Sequence, residues 1–365
     1  MPVSRVPDRP PSVLPLPNQL DRPLWSVMIP TYNCSEFLKE TLESVLYQAM
    51  DPDVMQIEVV DDASTDADVE AIVNTIGKGR IKYFRQPENR GSLRNFETCL
   101  NRAQGHLVHL LHGDDRIGDN FYSKFTNLFQ RFPEAGAAFC NYYTINPEGR
   151  RVGVGKIQAE KEGIIDDFFL QIAHYQRIQY VAMVVKRSVY EHLGAFYGVT
   201  YGEDWEMWAR IAKHYSICYT PQVLAEYRFH NKSISSQKFS SGQVLEDLSV
   251  VINTISHSVP DKNKKKFWYK SMEHYTRFHL QIIFNIWQID GNLTYLITQI
   301  RKTLKLYSSV FIFFFIVKLF IKKGVKKLLS PLKIGKTVRT TGKMSSREIE
   351  QLSYLKLKDD CHEEN

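Results

Sequence analysis

The amino-acid sequence predicts an α/β protein with a mostly parallel sheet flanked by helices and with a helical C-terminal extension. Short β-type runs alternate with helical patterns from Trp25 onward, as in chains whose strands are joined by helices. After Ser233 this alternation ends, and the chain becomes rich in lysine and aromatic residues. We therefore expect a flexible proline-rich arm over residues 1–23, an α/β domain over residues 24–236 and a basic helical extension over residues 237–365.

The first β-α-β unit begins the α/β domain. Ser26–Ile29 and Ile57–Val60 are short apolar runs rich in β-branched residues, so we predict that both are strands. Asn33 followed by Glu36 fits a capping box, which indicates that a helix begins there. The apolar side chains between the two strands recur at helical spacing: Phe37, Leu38, Leu42, Val45, Leu46 and Ala49.

The later elements continue the same alternation. The spacing predicts, in order, a strand over Ile81–Phe84, a helix over Ser92–Arg102, a strand over Leu107–Leu111 that is buried on both faces, a helix over Phe121–Phe132 and a strand over Ala137–Tyr143. Pro133 ends the last of these helices, because the residue before a proline disfavours helical geometry.

Charge and cysteine content limit the class of protein. The formal net charge is +7, and the lysine and arginine excess lies between Lys262 and Arg347, which indicates an anionic membrane surface near the C-terminus and no nucleic acid partner. The five cysteines are far apart and form no Cys-x-x-Cys pair, which argues against a zinc site and fits a reducing compartment. Residues 1–23 lack the apolar core of a signal peptide, so we expect a cytoplasmic catalytic part.

One segment of the extension, Leu304–Ile321, is strongly apolar and is followed directly by lysines. Its length is marginal for a transmembrane helix, and Lys305 and Lys318 interrupt it, so an interfacial or re-entrant helix is an equal interpretation. A third interpretation is a buried core helix with a charged end. The basic flank favours the inner face of an anionic membrane, and we expect a membrane-associating segment near residues 304–327.

Four polar motifs follow the predicted strands, at the sheet edge where α/β proteins bind ligands. The second motif, Asp61 and Asp62, offers acceptors for the N–H of a uracil-like base or for a ribose hydroxyl. The first motif is a turn whose tyrosine is suited to stacking on a base, and it consists of Pro30, Thr31, Tyr32 and Asn33.

The third and fourth motifs suit phosphate and metal. Arg94, with Asn95 beside it, lies in the first turn of a predicted helix, where the helix N-terminus and a guanidinium group both favour anions. Asp114 and Asp115 are adjacent carboxylates of the kind that a hard divalent cation requires. Each motif alone is also compatible with an ordinary turn or helix cap.

Together these motifs resemble glycosyltransferase family 2 on the GT-A fold, from about Trp25 to Ser236. The resemblance implies a nucleotide-binding GT-A fold in which the first turn and the first aspartate pair hold the nucleotide. It also implies that the later aspartate motif binds Mg²⁺ or Mn²⁺. The family pattern there is Asp-x-Asp, and Gly113 supplies no carboxylate. We therefore expect Asp115 to be the direct metal ligand and Asp114 to face ribose or water.

Two further segments resemble the family. Glu203 and Asp204 are similar to its Glu-Asp pair, which implies that Asp204 is the general base and that Glu203 orients it or binds the acceptor. The alternative is that both only favour the helix dipole. Tyr227–Ser235 is similar to the Arg-x-His-x-x-Ser segment, which implies that His230 completes the metal site or donates to the diphosphate. A surface histidine is the alternative.

The resemblance implies inverting transfer of a sugar from a nucleotide-sugar donor, UDP- or dTDP-linked, to a hydroxyl of a glycan or lipid-linked acceptor in cell-surface polysaccharide synthesis. The alternatives are a nucleotidyltransferase and a membrane-associated scaffold that has lost catalysis. No glycine-rich loop follows the first strand, which argues against a nucleotidyltransferase and against a Rossmann oxidoreductase. Retention of Asp115 and of the Glu203-Asp204 pair argues against the scaffold.

Overall fold

The computed structural model of the protein describes residues 4–17 and 21–329, apart from the side chains of Ser240, Ile289 and residues 323–329. The chain divides into two compact units between Arg228 and Phe229. The first unit contains a large sheet flanked by helices, and the second unit is helical in its described part. The predicted α/β class with a helical C-terminal region is therefore confirmed.

The strands of the first unit form one sheet in the order β3-β2-β1-β4-β9-β6-β10-β5, with β7 beside β6 and β8 beside β10. The strands are β1 Trp25–Thr31, β2 Met55–Asp61, β3 Lys82–Arg85, β4 Leu107–Leu110, β5 Arg116–Ile117, β6 Ala135–Ile145, β7 Arg151–Val154, β8 Gly163–Ile164, β9 Met183–Lys186 and β10 Ser216–Arg228.

The sheet is mixed in direction. Strands β3, β2, β1 and β4 are parallel, and β6 is parallel to β10. Strand β9 lies between these two groups and is antiparallel to both β4 and β6. The carboxyl ends of β1, β2 and β4 consequently meet at one edge, and the predicted motifs follow these ends.

Helices cover the sheet and bury apolar faces against it. Helix α1 buries Phe37, Leu38, Leu42 and Val45, and the last three belong to the same core as the β1 and β2 side chains. The helices of the first unit are α1 Ser35–Leu46, α2 Val69–Gly77, α3 Ser92–Arg102, α4 Phe121–Arg131, α5 Phe168–His174, α6 Arg187–Leu193 and α7 Glu203–His214, and a 3₁₀ turn covers Tyr180–Ala182.

The predicted capping box at the start of α1 is wrong. Cys34 is the N-cap residue and makes no side-chain cap hydrogen bond. Asn33 has a left-handed backbone with φ of 49°, and its Oδ1 accepts a hydrogen bond from the Thr65 N–H at 2.8 Å. The Asn33 side chain therefore links two loops and does not cap the helix.

The N-terminal arm differs from our expectation of a flexible segment, because residues 4–17 lie along the first unit. Backbone carbonyls of the arm accept hydrogen bonds from Arg94 Nε at 2.8 Å, from the N–H groups of Gly198 and Ala195 at 2.9 and 2.7 Å, and from Arg187 Nη2 at 2.9 Å. Val13 is buried, with 2% of its surface exposed. Proline lacks an N–H but keeps its carbonyl, so a proline-rich segment can still be held in this way.

The second unit consists, in its described part, of five helices: α8 Ile234–Ser241, α9 Val244–Ser256, α10 Asp261–Asp290, α11 Leu293–Leu306 and α12 Val310–Leu329. Helix α12 packs against α10, where the rings of Phe284 and Phe320 are 4.8 Å apart. None of the helices in the described ranges is long and apolar enough to cross a membrane.

Helix α12 is apolar on its exposed face as well as on its packed face. Its buried side chains are Ile312, Phe315, Ile316 and Leu319. At about 100° per residue, the exposed apolar side chains cover roughly the opposite half of the helix. These exposed side chains are Val310, Phe311, Phe313, Phe314, Val317, Phe320 and Ile321.

Candidate active site

Backbone hydrogen bonds join the three loops that follow β1, β2 and β4. The Thr31 carbonyl accepts the Asp62 N–H at 2.9 Å, and the Pro30 carbonyl accepts the Gly113 N–H at 3.2 Å. Pro30 and Thr31 are buried. These two residues therefore hold the loops after β2 and β4 in place, and their expected contact with the nucleotide sugar stays a prediction.

Tyr32 and Asn33 form the turn after β1. Tyr32 lies at the surface with 49% of its area exposed, which suits a side chain that stacks on a planar ring. The Asn33 N–H donates to Ser64 Oγ at 3.0 Å, so this turn is bound to the loop after β2 by the asparagine backbone as well as by its side chain.

Asp61 ends β2 with a fully buried carboxylate. Its oxygens accept hydrogen bonds from the Ser64 N–H at 2.9 Å and from the Tyr83 hydroxyl at 2.8 Å, and Arg85 forms an ion pair with it. Burial, and after it the hydrogen bond to Asp61 and the negative charge of that carboxylate, raise the pKa of Tyr83 to about 12 against the opposing effect of Arg85, so this hydroxyl stays protonated.

Asp62 organises the loop before α3. Its two carboxylate oxygens accept the N–H groups of Arg90 at 2.8 Å and Gly91 at 2.9 Å. Asn89 Nδ2 donates to the Asp62 carbonyl at 3.3 Å. Burial raises the pKa of Asp62, and the two backbone donors oppose that shift.

Arg94 and Asn95 are held by the protein in ways that the sequence did not predict. Arg94 Nη1 pairs with Glu97 at 2.7 Å, in addition to its bond to the arm. Asn95 is buried, and its Nδ2 donates to the Val60 carbonyl at 2.8 Å while its Oδ1 accepts from Gln86 at 3.3 Å. The two ends of its amide therefore join α3 to β2 and to the residue after β3, and the predicted nucleotide contact of Asn95 stays a prediction.

His112, Asp114 and Asp115 form a candidate metal group after β4. One ligand atom from each residue lies within 4.8 Å of the others. His112 Nε2 is buried and has no hydrogen-bond partner within the described part of the chain. Burial lowers the pKa of His112, which favours the neutral imidazole that binds metals. The donor set of one imidazole and two carboxylates therefore fits a divalent cation.

Aromatic packing fixes the His112 ring. Its ring stacks on Phe96 at 5.1 Å and lies 4.4 Å from the ring of Tyr180. The Tyr180 hydroxyl donates to Glu203 Oε1 at 3.2 Å. Tyr180 thereby connects the candidate metal group to the predicted catalytic pair.

Gly113 has no space for a side chain. A Cβ atom at this position would lie 2.9 Å from Thr31 Oγ1 and 3.0 Å from Cys34 Sγ. Close packing between β1, α1 and the loop after β4 thus explains why no carboxylate stands here. His112, on the other side of this glycine, supplies the third potential ligand.

Arg228 binds the segment that carries the aspartate pair and is called the Arg228 clamp. Its side chain is fully buried, its N–H donates to Asp115 Oδ1 at 2.7 Å and its Nε donates to the Asp114 carbonyl at 2.7 Å. Nη2 pairs with Glu40 at 2.7 Å, and Nη1 donates to the Pro147 carbonyl at 2.8 Å. The arginine fork therefore fixes the backbone that carries both carboxylates.

The two aspartates differ in accessibility. Asp115 is buried and already accepts the Arg228 N–H, whereas Asp114 is half-buried. Burial, and secondly the negative charge of Asp114, raises the pKa of Asp115 well above its usual range. This difference favours Asp114 as the carboxylate that faces a ligand, which reverses the division of roles that we expected.

Glu203 and Asp204 begin α7 directly after Gly202, whose φ of 89° requires a residue without a Cβ. Glu203 is buried against Tyr180, while Asp204 is half-buried. The Asp204 carboxylate accepts hydrogen bonds from Gln176 Nε2 and from the adjacent backbone N–H of Trp205, the latter at 2.7 Å. Asp204 is thus positioned by a side chain outside its own helix.

His230 belongs to the second unit. It is buried, and its carbonyl accepts hydrogen bonds from the hydroxyls of Ser233 at 2.8 Å and Ser236 at 2.7 Å. Its expected role toward the metal or the diphosphate stays a prediction.

Residues 26–194 match the family model described as glycosyl transferase family 2. This segment, just under half of the chain, is similar to glycosyltransferase family 2, and together with the names of the relatives it identifies the chain as a glycosyltransferase. The match includes the metal group and Tyr180 and ends before Glu203 and Asp204.

Relatives of this glycosyltransferase carry similar names. It is 28% identical to an uncharacterized glycosyltransferase of Haemophilus influenzae over 61% of this chain and 86% of that protein. It is 27% identical to the putative teichuronic acid biosynthesis glycosyltransferase TuaG of Bacillus subtilis over 61% of this chain and 85% of that protein.

Two solved structures share its fold. S. aureus TarS in complex with UDP-GlcNAc has a TM-score of 0.55 and 15% identity, covering 92% of this chain and 90% of that chain. The mannosyltransferase PcManGT from Pyrobaculum calidifontis, in complex with GDP-Man and Mn²⁺, has a TM-score of 0.53 and 17% identity, covering 97% of this chain and 90% of that chain. The GT-A fold of this glycosyltransferase is therefore confirmed.

The sequence of the glycosyltransferase did not reveal three residues that build the site: His112, Tyr180 and Arg228. His112 lies directly before the glycine that replaces a family aspartate, and this position was the signal that could have identified it. Arg228 is the arginine of the Arg-x-His-x-x-Ser segment, and this motif was the signal that could have identified it, whereas no local pattern marks the contact of Tyr180 with Glu203.

Proposed function

We propose that this glycosyltransferase inverts the anomeric centre of a sugar that it moves from a UDP- or dTDP-linked donor to a hydroxyl of a glycan or lipid-linked acceptor. The buried His112 Nε2 beside Asp114 and Asp115 is the observation that carries the proposal. An unsatisfied buried nitrogen is costly in the absence of a ligand, and a cation held there would use it. The choice of a UDP- or dTDP-linked donor rests on the family resemblance and on the hydrogen-bond acceptors of Asp61 and Asp62 after β2.

We assign the cation site to His112 and Asp114, with Asp115 as their buried neighbour. The carboxylates suit both Mg²⁺ and Mn²⁺, the imidazole of His112 is a better ligand for Mn²⁺ than for Mg²⁺, and the Mn²⁺ in the PcManGT complex supports Mn²⁺. When bound, the cation would neutralise charge on the departing diphosphate. Arg228 holds the Asp114 carbonyl and the Asp115 carboxylate, so the ligand geometry is set before the donor arrives.

Asp204 is the proposed general base. Its half-buried carboxylate at the start of α7 takes the proton from an acceptor hydroxyl as that oxygen attacks the anomeric carbon. The carbon–oxygen bond to the nucleoside diphosphate breaks on the opposite face, and the diphosphate departs with the bonding electrons. Glu203, buried and bonded to Tyr180, positions the start of the helix and does not transfer the proton.

Substitution of the base tests this assignment. Asp204→Asn should lower turnover about 10²–10⁴-fold, because general-base assistance is lost while the donor contacts remain. Metal-dependent release of nucleoside diphosphate from a panel of nucleotide sugars gives turnover, and calorimetry gives donor affinity.

Asp119→Asn is the matched control, since Asp119 is exposed and lies outside the candidate site. Normal turnover in Asp204→Asn contradicts the role of the base. A wild-type protein that binds donor and never turns over, with any acceptor, favours a scaffold.

We propose a cell-surface polysaccharide as the acceptor class. TuaG is named for teichuronic acid biosynthesis, and its similarity supports this class. A membrane-bound acceptor also suits the exposed apolar half of α12, which a lipid surface would cover. Lys318 and Lys322 are exposed on the same helix, and basic groups beside apolar ones favour the anionic inner face of a membrane.

Vesicle binding tests the membrane surface. The wild-type protein should sediment with vesicles that contain phosphatidylglycerol and less with pure phosphatidylcholine. The double substitution of Phe311 and Phe314 by serine should abolish sedimentation, because both rings are exposed and neither supports the core. Tyr47→Ser removes an equally exposed ring from the first unit and should change nothing. Equal sedimentation of the double variant and the wild type contradicts the proposal.

A further inference from the structure

The N-terminal arm brings Arg5 to the loop between β3 and α3, which is hydrogen-bonded to Asp62, the residue after β2. The Arg5 guanidinium donates to Asn89 Oδ1, and a Cβ atom at Gly91 would lie 3.1 Å from Arg5 Nε. Asn89 and Gly91 both hydrogen-bond Asp62. Burial raises the pKa of Asp62, and the charge of Arg5 is among the groups that lower it. Arg5 therefore belongs to the same local group as a candidate nucleotide-binding carboxylate.

The arm holds this arginine in a fixed place. Its backbone carbonyls are bound at four positions, including those of Ser4 and Pro7 on either side of Arg5. The Arg5 side chain itself is exposed. Because the backbone around Arg5 is already fixed, less conformational entropy is lost when the exposed guanidinium contacts a ligand.

The position of Arg5 along the sheet indicates which part of the donor it meets. β3 is three strands from β4, and strands are spaced about 4.8 Å apart, so the loop after β3, where Arg5 lies, is roughly 14 Å from the Asp114-Asp115 pair. A cation held by His112 and Asp114 would bind the diphosphate of the donor. The part of the donor that extends to Arg5 is then the nucleoside.

We propose that Arg5 is a donor-binding residue whose guanidinium donates to a ring carbonyl of the nucleobase. The proposal rests on the proposed function, because it requires a nucleotide at this edge of the sheet. A guanidinium has only donors; the exocyclic groups of uracil are carbonyl oxygens that accept, whereas the exocyclic group of adenine is an amine that donates, which leaves only its ring nitrogens as acceptors. Arg5 accordingly adds selection for uracil over adenine to the site.

Affinity measurements with nucleotide fragments test this inference. UDP, UMP, uridine and ADP are titrated by calorimetry into the full chain with Mn²⁺, using the wild type, Arg5→Gln and Arg9→Gln. Arg9 is exposed on the same arm and is the matched control. Arg5→Gln should lower the affinity for UDP, UMP and uridine by the same factor, about tenfold, because one charged hydrogen bond is lost.

The outcomes separate the possible roles of Arg5. An equal loss for all three uridine compounds, with ADP and the thermal midpoint unchanged, supports the base contact. If Arg5→Gln loses affinity for UDP but not for uridine, Arg5 contacts phosphate, and the proposal is overturned. Unchanged affinities for Arg5→Gln overturn it as well. A wild type that binds no uridine nucleotide removes the proposed donor class and this inference with it, which is distinguishable from failure of Arg5 alone.

Discussion

Substitution of Arg228 by lysine tests whether the arginine fork holds the aspartate pair. The arginine donates to the Asp114 carbonyl at 2.7 Å, the Pro147 carbonyl at 2.8 Å and Glu40 at 2.7 Å, with no exposed side-chain surface. A lysine keeps the charge but concentrates its donors at one atom, so it cannot reach acceptors on all sides of the fork. We expect at least two of these bonds to be lost.

The expected magnitude follows from these contacts. Each unsatisfied buried acceptor costs about 1–3 kcal/mol, so the loss of two lowers the free energy of unfolding of the first unit by about 3 kcal/mol. The affinity for Mn²⁺ should fall as well, because the backbone of Asp114 and Asp115 is no longer fixed. The Arg228 N–H bond to Asp115 is a backbone contact and remains possible in the variant.

Urea unfolding and Mn²⁺ titration by electron paramagnetic resonance measure the two effects. Arg150→Lys is the control, since the Arg150 side chain is 70% exposed beside Glu148 and its pair should contribute little. Wild-type stability and wild-type Mn²⁺ affinity in Arg228→Lys would refute the clamp. A loss of stability with unchanged Mn²⁺ affinity would confine Arg228 to a structural role.

Two further substitutions probe the core beneath the site. Burial brings the pKa of His109 to about 3, below its ordinary value of 6.5, so the folded protein keeps this ring neutral while the unfolded chain binds a proton as the pH falls. The free energy of unfolding should therefore fall by about 2 kcal/mol between pH 7 and pH 5 because of this histidine. In His109→Gln, urea unfolding should show a free energy that depends less on pH by this amount. The same pH dependence in the variant and the wild type would contradict the prediction. Gly113→Ala should lower stability by about 1–3 kcal/mol and weaken Mn²⁺ binding, because its Cβ meets Thr31 and Cys34. The second substitution Cys34→Ala should recover part of this loss, and no recovery would mean that the strain lies elsewhere.

Much of the first half of the fold could be predicted from the sequence. The predicted strands at Ser26–Ile29, Ile57–Val60 and Leu107–Leu111 all correspond to strands of the structure, because short apolar runs between polar turns have few other stable arrangements. The capping box failed because Asn33 finds a partner in a loop that is distant in sequence. Strand β9 and its antiparallel direction were not predicted, since its four residues carry no alternation of their own.

The candidate site was predictable where it depends on local motifs. The Asp114-Asp115 pair was recognisable from its place after a buried strand. The partition of roles between the two carboxylates was not, because it depends on Arg228, which is distant in sequence. The same holds for Arg94, whose side chain is bound by the arm. Side-chain exposure is set by such long-range contacts, and the periodicity of a sequence does not report them.

The Arg228 clamp has a consequence for synthesis of the chain on the ribosome. Arg228 is the last residue of β10, and 188 positions separate it from Glu40. Chains are made and begin to fold from the N-terminus, so the four parallel strands can form long before β10 has emerged. An incomplete chain would thus contain both aspartates without the contact that fixes them. Competence to hold a cation would arise late, only after the whole first unit has been translated.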